Sequence, residues 1–391
     1  MKVKRVYLDH NATAPLRPEA RDAMREALEI FGNPSSVHEE GRKARAAVER
    51  ARAQVAAFAG CEPGEVVFTS GASEANQTVI GSGFDLIAVS AVEHESVLAA
   101  GRARAAAAEG QAQFVEIPVA RDGTVDLSHL ADVLPALQRQ GQSISNPLIS
   151  VQMANGETGV LQPLEQVVEA AREQGYAIHT DAVQAAGRIP LDFHAADVDF
   201  LSISAHKIGG PKGVGALIVR EGRTLDPLIR GGGQERGRRS GTENVPGIVG
   251  FGAAAQAAQR DLEQMPEIAR LRDRLEEEAV ALSGGRARVI AAGSPRLPNT
   301  AALALEGAKA ETLVIALDLA GIAVSAGSAC SSGKATRSHV LQAMGLAPEL
   351  ADATLRVSLG WNSCEADVER FLQAWRTVAG GMKESANKHV A

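Results

Sequence analysis

Short apolar runs bounded by turn residues recur through the middle of the chain, at 66–69, 86–90, 114–117, 148–153, 177–180, 199–203 and 215–219. Each has strand length, and helical spacing fills most of the gaps, at 73–80, 96–108, 127–138 and 164–174. Strand and helix in alternation predict the α/β class, with a mainly parallel seven-stranded sheet flanked by helices. The last two runs are joined only by a glycine loop, which predicts a hairpin and one antiparallel strand. Ahead of this region, Pro15 and Pro18 interrupt an extended start, and helices are expected over 19–30 and 38–59. Past Pro246 the alternation stops. A long helical region covers 247–282, with a break near Pro266. Strand candidates follow at 288–290, 300–305, 322–325 and 355–359, with helices near 311–319 and 338–344. This second pattern predicts a smaller α+β domain. The expected division is residues 16–257 for the large domain, and 1–15 with 258–391 for the small one.

Composition narrows the class without naming a function. At 391 residues the chain is long enough for a large core and two domains. Hydrophobic content of 45% beside 22% charged residues is that of a soluble globular protein. A net charge of −7 argues against nucleic acid and anionic membrane as partners. The basic amino end lacks a following apolar segment, so no secretory signal is expected. The best apolar run, 313–324, is short and contains Asp318, so no membrane span is expected either. Cys61, Cys330 and Cys364 form no disulfide framework and no Cys-x-x-Cys pair. A reducing cytoplasm and the absence of a metal centre are the matching expectations.

Candidate chemistry clusters where the strands end, since open α/β sheets bind ligands beyond the carboxyl ends of their strands. The run at 199–203 leads into Ser204-Ala205-His206-Lys207 and then glycines. A lysine at the mouth of a buried strand is poorly solvated and suited to act as nucleophile or base; alone, it reads equally as a surface residue on a turn. Ser70-Gly71-Ala72-Ser73-Glu74 opens a helix after the first run. Such a turn suits a phosphate, or Ser73 is merely a helix cap. Asp181 and Gln184 follow the run at 177–180. An Asp for a pyridinium nitrogen with a Schiff-base lysine is the pairing of pyridoxal phosphate chemistry. Asn155 and His94 also follow strand candidates, as crevice residues or ordinary loop residues.

Three further features lie outside that set. Residues 231–242 form a Gly- and Arg-rich loop, either solvated or facing an anion, within one chain or across a dimer interface. Cys330 stands among small residues at 325–334, where an accessible thiol can reach a bound substrate. Arg356 interrupts a strand pattern, to bind a carboxylate or to project from the solvent face.

Together these stretches resemble the NifS/IscS-type cysteine desulfurases, in the class V branch of fold-type I pyridoxal phosphate enzymes. The resemblance runs from Tyr7-Leu8-Asp9-His10-Asn11-Ala12-Thr13 through Glu93-His94, Asn155-Gly156-Glu157-Thr158-Gly159 and His179-Thr180-Asp181-Ala182-Val183-Gln184. It continues through Ser204-Ala205-His206-Lys207 and Arg239-Ser240-Gly241-Thr242 to the Cys330 loop and Arg356-Val357-Ser358-Leu359-Gly360. It implies a homodimer using pyridoxal 5′-phosphate, with Lys207 bonded to the cofactor and Asp181 on its ring nitrogen. Asn155 and Gln184 would bond the ring oxygen and nearby groups, while His94 would stack on the ring. Ala72, Ser73, Ser204 and His206 would hold the phosphate, with Thr242 supplied by the second subunit. Arg356, with Asn11 and Asn155, would bind L-cysteine, and Cys330 would take its sulfur as a persulfide for an acceptor or scaffold protein. Within the same branch, a selenocysteine lyase or an aminotransferase is the alternative; outside it, a non-catalytic sulfur-trafficking scaffold. Gly156 departs from the family pattern, standing where many relatives carry a second Asn.

Overall fold

The structure, a computed structural model, describes residues 5–108, 112–130, 132, 144–327 and 337–388, with side chains described as far as residue 381. In chain order the described strands are β1 (Val6–Tyr7), β2 (Val66–Thr69), β3 (Leu86–Ser90), β4 (Gln113–Ile117), β5 (Pro147–Ser150), β6 (Ala177–Asp181) and β7 (Phe200–Ser204). They continue with β8 (Gly215–Val219), β9 (Ala287–Val289), β10 (Thr300–Leu305), β11 (Ile322–Ala323), β12 (Ser325–Ala326) and β13 (Thr354–Ser358). The helices are α1 (Pro18–Ala27), α2 (Glu39–Ala59), α3 (Ala72–Ile80), α4 (Glu95–Ala107), α5 (Leu164–Glu173) and α6 (Val245–Arg260). After them come α7 (Met265–Leu282), α8 (Ala310–Leu319), α9 (His339–Ala343), α10 (Pro348–Asp352) and α11 (Glu365–Lys388).

Seven strands form the main sheet in the order β2-β8-β7-β6-β5-β3-β4. Only β8 runs antiparallel to its neighbours β2 and β7; the remaining pairs are parallel. That is the sheet the apolar runs predict. The inner parallel strands β3, β5, β6 and β7 are buried on both faces because helices cover each side, which is why their residues do not alternate, while the edge strand β4 is only partly buried. The run at 148–153 ends as a strand at Ser150, and its last amides bond onward to the carbonyls of His179 and Asp181. The helix expected over 127–138 lies partly outside the described residues.

The long helical region divides as Pro266 requires. α6 is capped by Asn244, whose side chain accepts the Gly247 amide, and it ends at Arg260. A 3-10 turn over Asp261–Gln264 intervenes, and α7 carries its proline in the first turn, where no amide is missed. Beyond it, four strands pair in the order β12-β13-β10-β9, and β1 pairs with β11 in parallel. The candidate at 322–325 is therefore two strands, split at Val324 between two sheets. α10 and α11 fall in a stretch read without elements. α11 lays Val368, Phe371, Leu372, Trp375 and Ala379 against α7, with Trp375 Nε1 donating to Ala279 O at 2.9 Å.

Candidate active site

One cavity of about 1070 Å³ opens where β2, β3, β5, β6 and β7 end. Its walls bring together residues far apart in sequence: Asn11, Ser73, His94, Asp181, Lys207 and Arg356 all line it. Ala72, Asn155, Gln184, Ser204 and His206 line it too.

Lys207 closes a 3-10 turn, Ala205–Lys207, directly after β7. Its Nζ donates to the carbonyls of Asn11 and, at 3.0 Å, Ala12, so the lysine is tied to the segment that follows β1. The Asn11 side chain is committed inward. Nδ2 donates to Gly156 O and Thr300 Oγ1, and Oδ1 accepts from Asn299.

Asp181 is the last residue of β6 and is buried. Its Oδ1 accepts the Val183 amide at 2.9 Å, and its Oδ2 accepts Asn76 Nδ2 at 2.8 Å. Glu93, fully buried, also lines this cavity. Burial, and then the Asp181 carboxylate, hold the Glu93 carboxyl well above the usual carboxylate range, against the pull of a hydrogen bond from the Gln152 amide. Burial also lowers His206 to about 4, helped by Lys207 and Lys212. Its Nδ1 lies 3.1 Å from Thr13 Oγ1.

At the turn after β2, Gly71 occupies the cap position of α3 and no side chain caps the helix. Ser73 is therefore not the cap; it sits one residue into the helix with its side chain exposed to the cavity. Glu74 reaches back to the Ser70 amide at 2.8 Å and accepts Arg239 Nε at 2.9 Å. That ion pair ties the Gly- and Arg-rich loop to the turn. Farther along the loop, Glu235 is buried in a bidentate pair with Arg52, at 2.7 and 2.8 Å. Thr242, beyond it, is exposed and does not line the cavity of this protomer.

Asn155 spends its side chain on its own turn, accepting the amides of Glu157 and Thr158 and donating to Val92 O. A Cβ at Gly156 would meet Gln184 Nε2 at 3.0 Å, so glycine leaves Gln184 its place. Gln184 Nε2 donates to Asn11 O, while its Oε1 is buried without a partner. Arg356 is buried as well, which excludes the solvent-face reading. It donates to Asp9 Oδ1 at 2.9 Å and Gly156 O at 3.1 Å, and its Nε has no partner. Cys330 lies outside the described residues. Cys61 is partly buried, and burial raises its thiol to about 12; Cys364 is exposed.

Asn76, Glu93, Ser96, Glu157 and His339 also line the cavity, without having been assigned a role from sequence. Glu157 accepts Ser338 Oγ at 2.6 Å, and burial raises its carboxyl. The signal for Glu93 was its place beside His94. Asn76 gave none, since it reads as one more polar position within a helix.

The aminotransferase class-V family model matches residues 6–371. A cysteine desulfurase of Cereibacter sphaeroides is 43% identical, covering 95% of this chain and 95% of that protein. Among solved structures, a NifS-like protein from Rickettsia africae superposes with a TM-score of 0.85 at 34% identity, over 96% of this chain and 99% of the other. The structure of SspA in complex with cysteine superposes with a TM-score of 0.74 at 29% identity, over 92% of this chain and all of that one (100%). The chain belongs to the aminotransferase class-V family, among its cysteine desulfurases.

Proposed function

We propose that the chain converts L-cysteine to L-alanine, moving the sulfur atom to the thiol of Cys330 as a persulfide. The reaction balances: the Cβ–S bond of cysteine breaks, an S–S bond forms at Cys330, and the thiol proton of one partner ends on the alanine methyl. The observation that carries this reading is the convergence on one cavity of Asp181 at the end of β6, Lys207 just after β7 and Arg356 in the middle of β13.

The residues present fit pyridoxal 5′-phosphate. The uncapped start of α3, with Ala72 and Ser73, offers amides to a phosphate, and Ser204 and His206 stand on the facing wall. Buried Gln184 Oε1 and Arg356 Nε lack protein partners, as polar atoms awaiting a ligand do. When bound, this cofactor supplies an electron sink that acidifies the substrate Cα–H and loosens its sulfur. In our reading Lys207 would hold the cofactor and move the Cα proton, and Asp181 would hold its ring nitrogen. His94, Gln184 and Asn155 would hold the ring. Arg356 takes the substrate carboxylate in its fork, with Asp9 and Asn11 fixing the geometry.

The same reading takes residues 16–257 as the large domain and the remainder as the small one. It also takes a cytoplasmic homodimer whose second copy brings Thr242 to the phosphate, and an acceptor protein, such as one in iron–sulfur cluster assembly. Among the described residues no helix is long and apolar enough to cross a membrane, and no cluster of side chains is suited to a metal ion.

Peptide mass spectrometry after adding L-cysteine without reductant tests the proposal, with Cys330→Ala alongside. The expected result is one added sulfur on the Cys330 peptide, absent from the variant, with alanine released. Alanine without sulfur on Cys330 would move the acceptor role elsewhere. No alanine from protein loaded with cofactor would overturn the desulfurase reading.

A further inference from the structure

Asn76 sits inside α3 with no exposed surface, and lines the cavity. Its Nδ2 lies 2.8 Å from Asp181 Oδ2 and 2.9 Å from Ser96 Oγ. Its Oδ1 is buried with no partner at all. Charge decides the orientation of this amide. The Asp181 carboxylate already accepts the Val183 amide at its other oxygen and has only acceptors to offer. Turning the Asn76 amide over would set two oxygens against each other, so both amide protons are committed, one to Asp181 and one to Ser96. An unpaired buried carbonyl calls for a reason, and the direction imposed on its neighbours supplies one.

That direction carries onward. Ser96 Oγ accepts from Asn76, so its own proton must go elsewhere, and His94 Nδ1 lies 2.8 Å away. The Ser96 backbone N–H also points at His94 Nδ1, at 3.1 Å, where the histidine caps α4. A backbone N–H can only donate. Nδ1 is therefore an acceptor, and the proton of the neutral imidazole resides on Nε2.

We infer that Asn76 and Ser96 are positioning residues that hold His94 as its Nε2–H tautomer and link that choice to the Asp181 carboxylate. The network stands without any ligand; its catalytic meaning rests on the desulfurase reading, in which His94 and Asp181 meet one cofactor. There, His94 offers a proton from Nε2, and its Nδ1 is closed to base chemistry.

The test is a long-range proton–nitrogen NMR spectrum of the purified protein with ¹⁵N-labelled histidine. The His94 signals are assigned by their loss in His94→Gln. Expected are a protonated Nε2 and an unprotonated Nδ1. Ser96→Ala keeps the backbone N–H that faces Nδ1 but loses the hydroxyl proton, so the Nδ1 signal should shift to that of a less strongly hydrogen-bonded nitrogen. Asn76→Ala should shift it less, and Ser96→Thr, which keeps the hydroxyl, should restore the parent pattern. Should Asn76→Ala fail to fold, the two Ser96 variants decide alone. A proton on Nδ1 in the parent, or His94 nitrogen signals unchanged in Ser96→Ala, would overturn the inference. Failure of alanine release with the tautomer pattern intact would instead count against the desulfurase reading and leave the network standing.

Discussion

Arg356 is held by two groups of the fold. One nitrogen reaches Asp9 and another the Gly156 carbonyl, which aims the guanidinium and leaves its buried Nε unmatched. Lysine would keep the charge and lose the fork. A charge-assisted hydrogen bond contributes about 1.5–3 kcal/mol, so Arg356→Lys is expected to raise KM for L-cysteine roughly 10- to 100-fold, with a smaller change in kcat. Steady-state alanine formation measures both, and an unchanged KM would remove Arg356 from carboxylate recognition. Residues such as this were legible in the sequence because a charge inside an apolar run needs a reason. Asp181 and Lys207 stood out the same way, at the ends of runs. Asn76 and Ser96 did not, because neutral polar residues belong in any helix and their roles arise from partners 105 positions of chain apart in one case and 20 in the other. Ser73 was legible as a helix start, yet the cap is Gly71, since the backbone there is extended and any side chain is dispensable.

The elements followed from sequence wherever burial was two-sided. β2, β3, β8 and β10 carry the predicted bounds, because each is an apolar run closed by glycine, serine or a charge. Boundaries moved where a cap chemistry decided them, as with Asn244 before α6. α11 is the clear omission, although Val368, Phe371, Leu372 and Trp375 recur at helical spacing. Its contribution is testable. Trp375 is fully buried, stacks on Phe371 with ring centroids 5.9 Å apart, and donates to the end of α7. Trp375→Ala leaves a cavity and removes one of the two donors to Ala279 O, the Ser283 amide remaining, and is expected to cost about 3–5 kcal/mol in urea unfolding. A loss below about 1 kcal/mol would mean that α11 contributes little to the second core.

At the scale of the whole molecule, buried histidines make stability depend on pH. His179 lies between Ser150 Oγ at 2.8 Å and Ser202 Oγ at 3.1 Å, and burial lowers it to about 4, partly offset by Asp181. The unfolded chain binds that proton near pH ~6.5. Stability from this group is complete above that value and is lost on acidification until the folded value is reached. Glu93 has the opposite sign, since its raised carboxyl favours the folded state as pH falls. The difference between the parent and His179→Gln, which cannot titrate, isolates the histidine. It should shrink by about 2 kcal/mol between about pH 7 and about pH 5; a constant difference would mean that His179 takes up its proton in the fold at the same pH as in the unfolded chain. The same scale shows how the chain closes on itself. β1 pairs with β11, the Asp9 backbone meets Ser358, and between them Asn11 and Ala12 hold Lys207. On the ribosome, the residues that form this seam are made long before their partners at 322–358. A nascent chain that has released all seven strands of the main sheet already carries Asp181 and Lys207, but neither Arg356 nor the strand that pins its own beginning. Competence therefore arrives late and all at once, when the emergence of residues 322–358 secures a segment made more than three hundred residues earlier.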